Sequence, residues 1–190
     1  ADTPWPSILA RRLAGGAGGP PRSVLNLGIS GNRILREGAG SSALARFDRD
    51  VATRAGVRWV VLLEGINDIS FNAIPNLPTS EKSTFDDLLA GYRQWIARAR
   101  GEGLRVIGGT LTPFEGVPTY DAAGERLRQQ VNQWIREGGE FDAVIDFDAT
   151  LRDPSRPSRL LPRFDSGDHI HPNDAGNEAM AAAIDLDLFR

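Results

Sequence analysis

Both histidines of this 190-residue chain fall within Asp165-Ser166-Gly167-Asp168-His169-Ile170-His171-Pro172-Asn173. A carboxylate three residues ahead of an imidazole, on a loop entering a helix, can reach Nδ1-H, set the tautomer and stabilise the imidazolium formed during proton transfer. Asp168 and His171 have that spacing. The same residues also read as a solvated loop in which Asp168 caps a helical turn. A third reading is metal binding, because an extended His-x-His would place the imidazoles of His169 and His171 on one face. It needs a further ligand, which Asp165 or Asp168 would have to supply, and the sequence offers no additional histidine. The acid-base reading is therefore taken first.

Two other stretches carry polar or side-chain-free residues where an apolar run ends. The first is Asn26-Leu27-Gly28-Ile29-Ser30-Gly31-Asn32-Arg33, where a glycine lets a backbone N-H approach a ligand oxygen. Taken alone it reads as a tight turn with a helix cap, since it lacks the full dinucleotide-binding fingerprint. The second is Glu64-Gly65-Ile66-Asn67-Asp68. Asn67 could donate its amide to an oxyanion while Asp68 fixes the loop through backbone hydrogen bonds. Asn-Asp also makes a plain Asx turn, and both readings stay open.

The elements that must position these residues follow from periodicity. Short apolar runs rich in β-branched residues, at 23–29, 58–63, 104–110 and 143–147, read as strands. Helical patterns lie between and after them at 42–55, 85–100, 122–137 and 173–188, and a short helix is expected over 5–13. Strand and helix alternate, as in a parallel sheet covered by helices. Gly101-Glu102-Gly103 and Gly138-Gly139 stand where helices should stop. The glycine-rich segment 15–21 is expected to be a surface loop within one domain. In such sheets ligands sit beyond the carboxyl ends of the strands, which is where the polar stretches fall.

Composition narrows the function classes. With 41% hydrophobic residues the chain can bury one ordinary core, so a single domain over residues 1–190 is expected. A net charge of -3, with 22 basic and 25 acidic residues spread along the chain, offers no basic stripe for nucleic acid. Without cysteine there is no disulfide or thiolate nucleophile, and the redox compartment stays open. No apolar run approaches the roughly 20 residues of a membrane span. The start Ala1-Asp2-Thr3-Pro4 has neither a basic n-region nor an initiator methionine, so the chain is expected to be processed or incomplete. Oligomeric state is not readable.

Gly31 in Ile-Ser-Gly-Asn, Asn67 in Gly-Ile-Asn-Asp and Asp168/His171 in Asp-x-x-His-Pro-Asn resemble three of the four sequence blocks of SGNH hydrolases, the GDSL-like lipases and esterases. Their order and strand-end placement agree with that family. Thr110-Leu111-Thr112-Pro113-Phe114, Phe141-Asp142-Ala143-Val144-Ile145-Asp146-Phe147-Asp148 and the histidine segment are similar to one bacterial branch of it. The resemblance implies a three-layer α/β/α fold with a parallel, flavodoxin-like sheet. It implies ester hydrolysis through a serine acyl-enzyme, with His171 as general base and then acid, Asp168 orienting it, Gly31 and Asn67 forming the oxyanion hole, and Asp68 in support. No cofactor or metal is required. The expected substrate is a small-molecule, carbohydrate or lipid ester, in a bacterial secreted or cell-envelope setting, with 72–78 and 114–120 as its rim.

One block is missing. In the family a Gly-Asp-Ser ends the first strand, upstream of a Trp-Pro that opens the first helix. Here Trp5-Pro6 stands near the chain start and Gly-Asp-Ser occurs nowhere. The first strand and the nucleophile are therefore expected to be absent, leaving two sheet edges without their neighbour, and the chain alone is expected to be inactive. Ser30, beside Gly31, would arrive from the wrong strand end to replace that serine. The alternatives carried forward are a metal-dependent hydrolase using His169 and His171, an inactive binding module and, more distantly, a flavodoxin-like mononucleotide binder.

Overall fold

The computed structural model describes residues 3–15 and 20–190. Along the chain run α1 (Trp5–Ala14), β1 (Trp59–Leu62), α2 (Ile66–Ser70), α3 (Phe85–Gly101), β2 (Arg105–Gly109), α4 (Ala122–Glu137) and β3 (Ala143–Ile145), then α5 (Phe147–Leu151), β4 (Arg152–Asp153), β5 (Arg156–Leu160) and α6 (Asp174–Ala183). They form two compact units. One combines the described part of Ala1–Leu27 with Thr112–Val117 and Ile145–Arg190, and the other combines Gly28–Leu111 with Pro118–Val144.

The second unit carries the sheet, in the order β1-β2-β3, whose last residue lies at the unit boundary. β1 and β2 pair in parallel, from Trp59 opposite Arg105 to Leu62 opposite Gly108. The longer of the two helices between these strands, α3, begins at a capping box: Thr84 Oγ1 accepts the Asp87 N-H at 3.2 Å while Asp87 accepts the Thr84 N-H at 2.9 Å. It buries Leu88, Leu89, Tyr92, Trp95, Ile96 and Ala99 along one stripe. It ends as the glycines indicate, with the Gly103 N-H on Arg100 O and the Leu104 N-H on Ala99 O, a Schellman pattern. α4 starts on Asp121, whose carboxylate accepts the Gly124 N-H. Its Asn132 takes both the N-H and the C=O of Leu111, at 2.7 and 2.8 Å, and its wholly buried Arg128 donates to the same carbonyl at 2.7 Å. The chain leaving β2 is thus fixed by helix side chains.

In the first unit α1 packs on α6. Arg12 donates to the carbonyls of Ala181 and Ile184 at the end of α6, and Asn177 near its start accepts the Trp5 N-H at 2.9 Å. The Trp5 ring lies 5.4 Å from that of Phe147 in α5. β4 and β5 form an antiparallel hairpin. Among the described residues no helix is long and apolar enough to cross a membrane.

Three expectations about elements are corrected. The run 23–29 forms no strand. A strand needs a neighbouring ladder and a covered face, and here Leu25 is 60% and Ile29 38% exposed. The helix expected over 42–55 is instead a series of turns followed by a π segment, Asp48–Ala52. Its Arg46 is drawn inward to Asn32, Asp50 and Glu64, so buried ion pairing rather than an apolar stripe sets the local winding. The last helix stops at Ala183, and Leu186–Phe189 continues as a 3-10 turn. Of the segment 15–21, residues 16–19 lie outside the described residues, as do Ala1 and Asp2 at the chain start.

Candidate active site

Gly31, Asn67 and Asp68 are brought together in the second unit. The Asn32 N-H closes a turn onto Ile29 O at 3.1 Å, and Gly31 sits in that turn at φ +74. The left-handed region favours glycine there, and an added Cβ would meet the Ala39 Cβ at 3.0 Å. The Gly31 N-H has no acceptor among the described residues. Asn67, in the first turn of α2, donates from its side-chain amide to the Asn32 carbonyl at 2.9 Å, which leaves its second amide proton for another acceptor. Asp68 is buried and accepts the N-H groups of Ile34 at 2.8 Å and Leu35 at 3.3 Å. It therefore ties the glycine loop to α2, as its expected supporting position requires.

Beneath this loop lies an ionic cluster that the sequence reading missed. Arg46 donates to Asn32 Oδ1, Asp50 and Glu64 at 3.0, 3.1 and 3.0 Å. Asn32 in turn donates to the carbonyls of Ala39 and Ser41, both at 2.9 Å. The residue that receives the Asn67 amide is thus held at every polar atom of its side chain. Burial pushes Glu64 up to about 7, with Arg46 opposing and Asp68 adding to the shift. Burial likewise raises Asp68 against the pull of its two backbone donors. Nothing in the local sequence announces the cluster, because its members are 14 to 32 residues apart in the chain, save Arg46 and Asp50 at helical spacing.

In the first unit, Asp168 Oδ2 lies 2.6 Å from His171 Nδ1. Its Oδ1 accepts the N-H groups of Ile170 at 3.0 Å and His171 at 2.9 Å. Burial favours the neutral acid, but the hydrogen bonds from His171, Ile170 and Ser166 outweigh it and hold the carboxyl well below the usual range. The loop closes on itself through the Ser166 N-H to His171 O, at 3.1 Å. It runs into α6 at Asn173, whose Oδ1 accepts the Gly176 N-H at 3.0 Å.

His169 forms a second pair, its Nδ1 2.6 Å from Asp165 Oδ2. The backbone at His169 is left-handed, φ +69. The extended His-x-His geometry on which the metal alternative rested is therefore corrected: the strand alternation that would present both rings to one face does not hold here. Among the described residues no three His, Cys, Asp or Glu side chains are placed to share a metal ion.

A sequence profile of the GDSL-like Lipase/Acylhydrolase family matches residues 1–179. No curated protein matches the chain. Among solved structures, the acetylxylan esterase Axe2 of Geobacillus stearothermophilus aligns with a TM-score of 0.70 at 23% identity, over 95% of this chain and 78% of that one. A GDSL-like lipase of Bacteroides thetaiotaomicron aligns at 0.66 and 19% identity, over 94% and 78%. An alpha/beta hydrolase enzyme from the metagenome of Lake Arreo, Spain, aligns at 0.72 and 20%, over 95% and 79%. These likenesses establish the α/β/α fold.

Proposed function

The chain belongs to the GDSL-like lipase/acylhydrolase family, and on that premise we propose that it is the acid-base and oxyanion part of a serine esterase. The observation that carries the reading is the Asp168-His171 pair, 2.6 Å apart at Nδ1, which leaves Nε2 to exchange protons with a reacting hydroxyl. The attacking serine is supplied by a Gly-Asp-Ser block that these 190 residues do not contain. Its Oγ adds to the ester carbonyl carbon as the hydroxyl proton passes to His171 Nε2. The oxyanion accepts the Gly31 N-H and the second amide proton of Asn67. Collapse breaks the bond to the alcohol, which leaves with the proton from Nε2. Water then repeats the sequence and releases the acid.

The substrate is a small-molecule or carbohydrate ester, the latter suggested by the acetylxylan esterase among the similar structures. Hydrolysis of 4-nitrophenyl acetate by the protein with the Gly-Asp-Ser block present tests the proposal. Turnover resistant to chelator and abolished by His171→Ala is the expected result. Chelator-sensitive turnover that survives His171→Ala would replace it with the metal reading, and binding of an ester without turnover would favour the binding module.

A further inference from the structure

Asp168 and His171 lie on a loop whose side chains are half exposed or more, 50% for the aspartate and 62% for the histidine. Burial does not fix them, so the backbone must. The decisive backbone position is His169, between the two, where φ is +69. Side chains with a Cβ rarely adopt this conformation, and histidine is among the few that tolerate it. Turning the chain here lets the next two N-H groups, of Ile170 and His171, fold back onto Asp168 Oδ1.

Two contacts hold His169 in that conformation. Asp165 grips it twice, accepting its N-H at 3.0 Å on Oδ1 and meeting its Nδ1 at 2.6 Å on Oδ2, and accepts the Gly167 N-H at 2.8 Å as well. The imidazole also rests on Gly116. A Cβ built there would lie 2.6 Å from His169 Cγ and 2.7 Å from its Cβ and Cδ2, and φ at Gly116 is +127, so no other residue provides that seat without displacing the ring. Gly116 is itself anchored by its neighbour. Glu115 donates its N-H to Ser158 O at 2.9 Å, and its carboxylate receives Arg156 and Arg159, both at 2.8 Å, together with the Ser158 hydroxyl.

We propose that His169, clamped by Asp165 and seated on Gly116, is a positioning residue that sets the left-handed turn aligning His171 with Asp168. The role rests on the reading of His171 as the base, and it places the second Asp-His pair in the service of the first. His169 itself exchanges no proton with substrate.

Because the chain has only two histidines, imidazole NMR assigns each ring by substitution of the other. The measurement is the low-field Nδ1-H signal and tautomer of His171 in His169→Ala, Gly116→Ala and Asp165→Asn, with kcat and KM of the protein carrying the Gly-Asp-Ser block. The expected result is loss or broadening of the His171 Nδ1-H signal in all three. kcat should fall about 10- to 100-fold with KM nearly unchanged, as for a displaced catalytic group. His169→Asn, which accepts the left-handed conformation and keeps a polar contact to Asp165, should restore part of both. An unchanged His171 signal in folded His169→Ala and Asp165→Asn would overturn the proposal, even if their stability fell. So would a loss of turnover in His169→Ala with the His171 signal intact, which would make His169 the base. If His171→Ala retains ester hydrolysis while His169→Ala still disturbs the His171 ring, the reading of His171 as the base fails and the positioning role stands.

Discussion

At the scale of single residues, the site is a set of polar groups fixed by other polar groups, which makes the effects of substitution separable. Asp168 has both oxygens engaged, one by the His171 ring and one by two N-H groups. Asp168→Asn keeps the shape but presents an amide N-H or a weaker acceptor to Nδ1, so the wrong tautomer becomes available. The expected loss in kcat is about 10²- to 10⁴-fold with KM little changed, read from steady-state ester hydrolysis. An effect on KM alone would place Asp168 outside the proton-transfer path. Asn67→Ala should cost about 10²- to 10³-fold in kcat, the usual cost of one lost oxyanion donor. The Asp68 carboxylate accepts the backbone N-H groups of Ile34 and Leu35, so its replacement should lower stability together with activity.

At the scale of elements, the sequence was legible wherever caps and periodicity agree. α4 occupies 122–137 as read, because Asp121 caps its start, Gly138 follows its end, and Val131 and Ile135 share its buried face. The three central strands fall inside the apolar runs read for them. The same signals were weak where charge replaces hydrophobicity. Segment 42–55 has helical spacing, yet Arg46 is committed to three inward partners, which no local pattern encodes. The left-handed turn that joins His169 to Asp165 was not legible for a related reason: it falls on a residue that is not glycine or asparagine. The spacing of Asp168 and His171, by contrast, was readable because one turn of loop brings them together. Element-scale energetics can be checked on two helices. Thr84→Ala removes the cap of α3 and should cost about 1 kcal/mol in denaturant unfolding. Arg128→Ala removes a wholly buried guanidinium, leaves the partly exposed Glu125 to Gln129 and solvent, and frees the buried Leu111 carbonyl of one donor, and should cost about 2–3 kcal/mol. A loss below about 1 kcal/mol would mean that the pair is not buried in solution.

At the scale of the whole molecule, the chain passes between its two compact units at Leu27/Gly28, Leu111/Thr112, Val117/Pro118 and Val144/Ile145. We propose that units built from such interleaved pieces unfold together as one domain, so that far-ultraviolet circular dichroism and tryptophan fluorescence should report coincident transitions. Stability should also depend on pH through Glu64. Burial pushes its pKa to about 7 from the ordinary 4.5, so the folded state holds that proton more tightly. The resulting stability is complete below about pH 4.5, declines through the interval and is lost above about pH 7, with a size on the order of 3 kcal/mol. Asp68, also raised, acts in the same direction. Glu64→Gln should flatten unfolding free energy between pH 5 and 8, whereas an unchanged slope would assign the dependence elsewhere. The central claim, that His171 serves a serine lying outside these 190 residues, is tested most directly by mapping the adduct of a serine-reactive fluorophosphonate in the protein that carries the Gly-Asp-Ser block. The account predicts a single modified serine in that block, with labelling suppressed by His171→Ala. Modification of Ser30 or any other serine within the 190 residues, or labelling that is indifferent to His171, would contradict it.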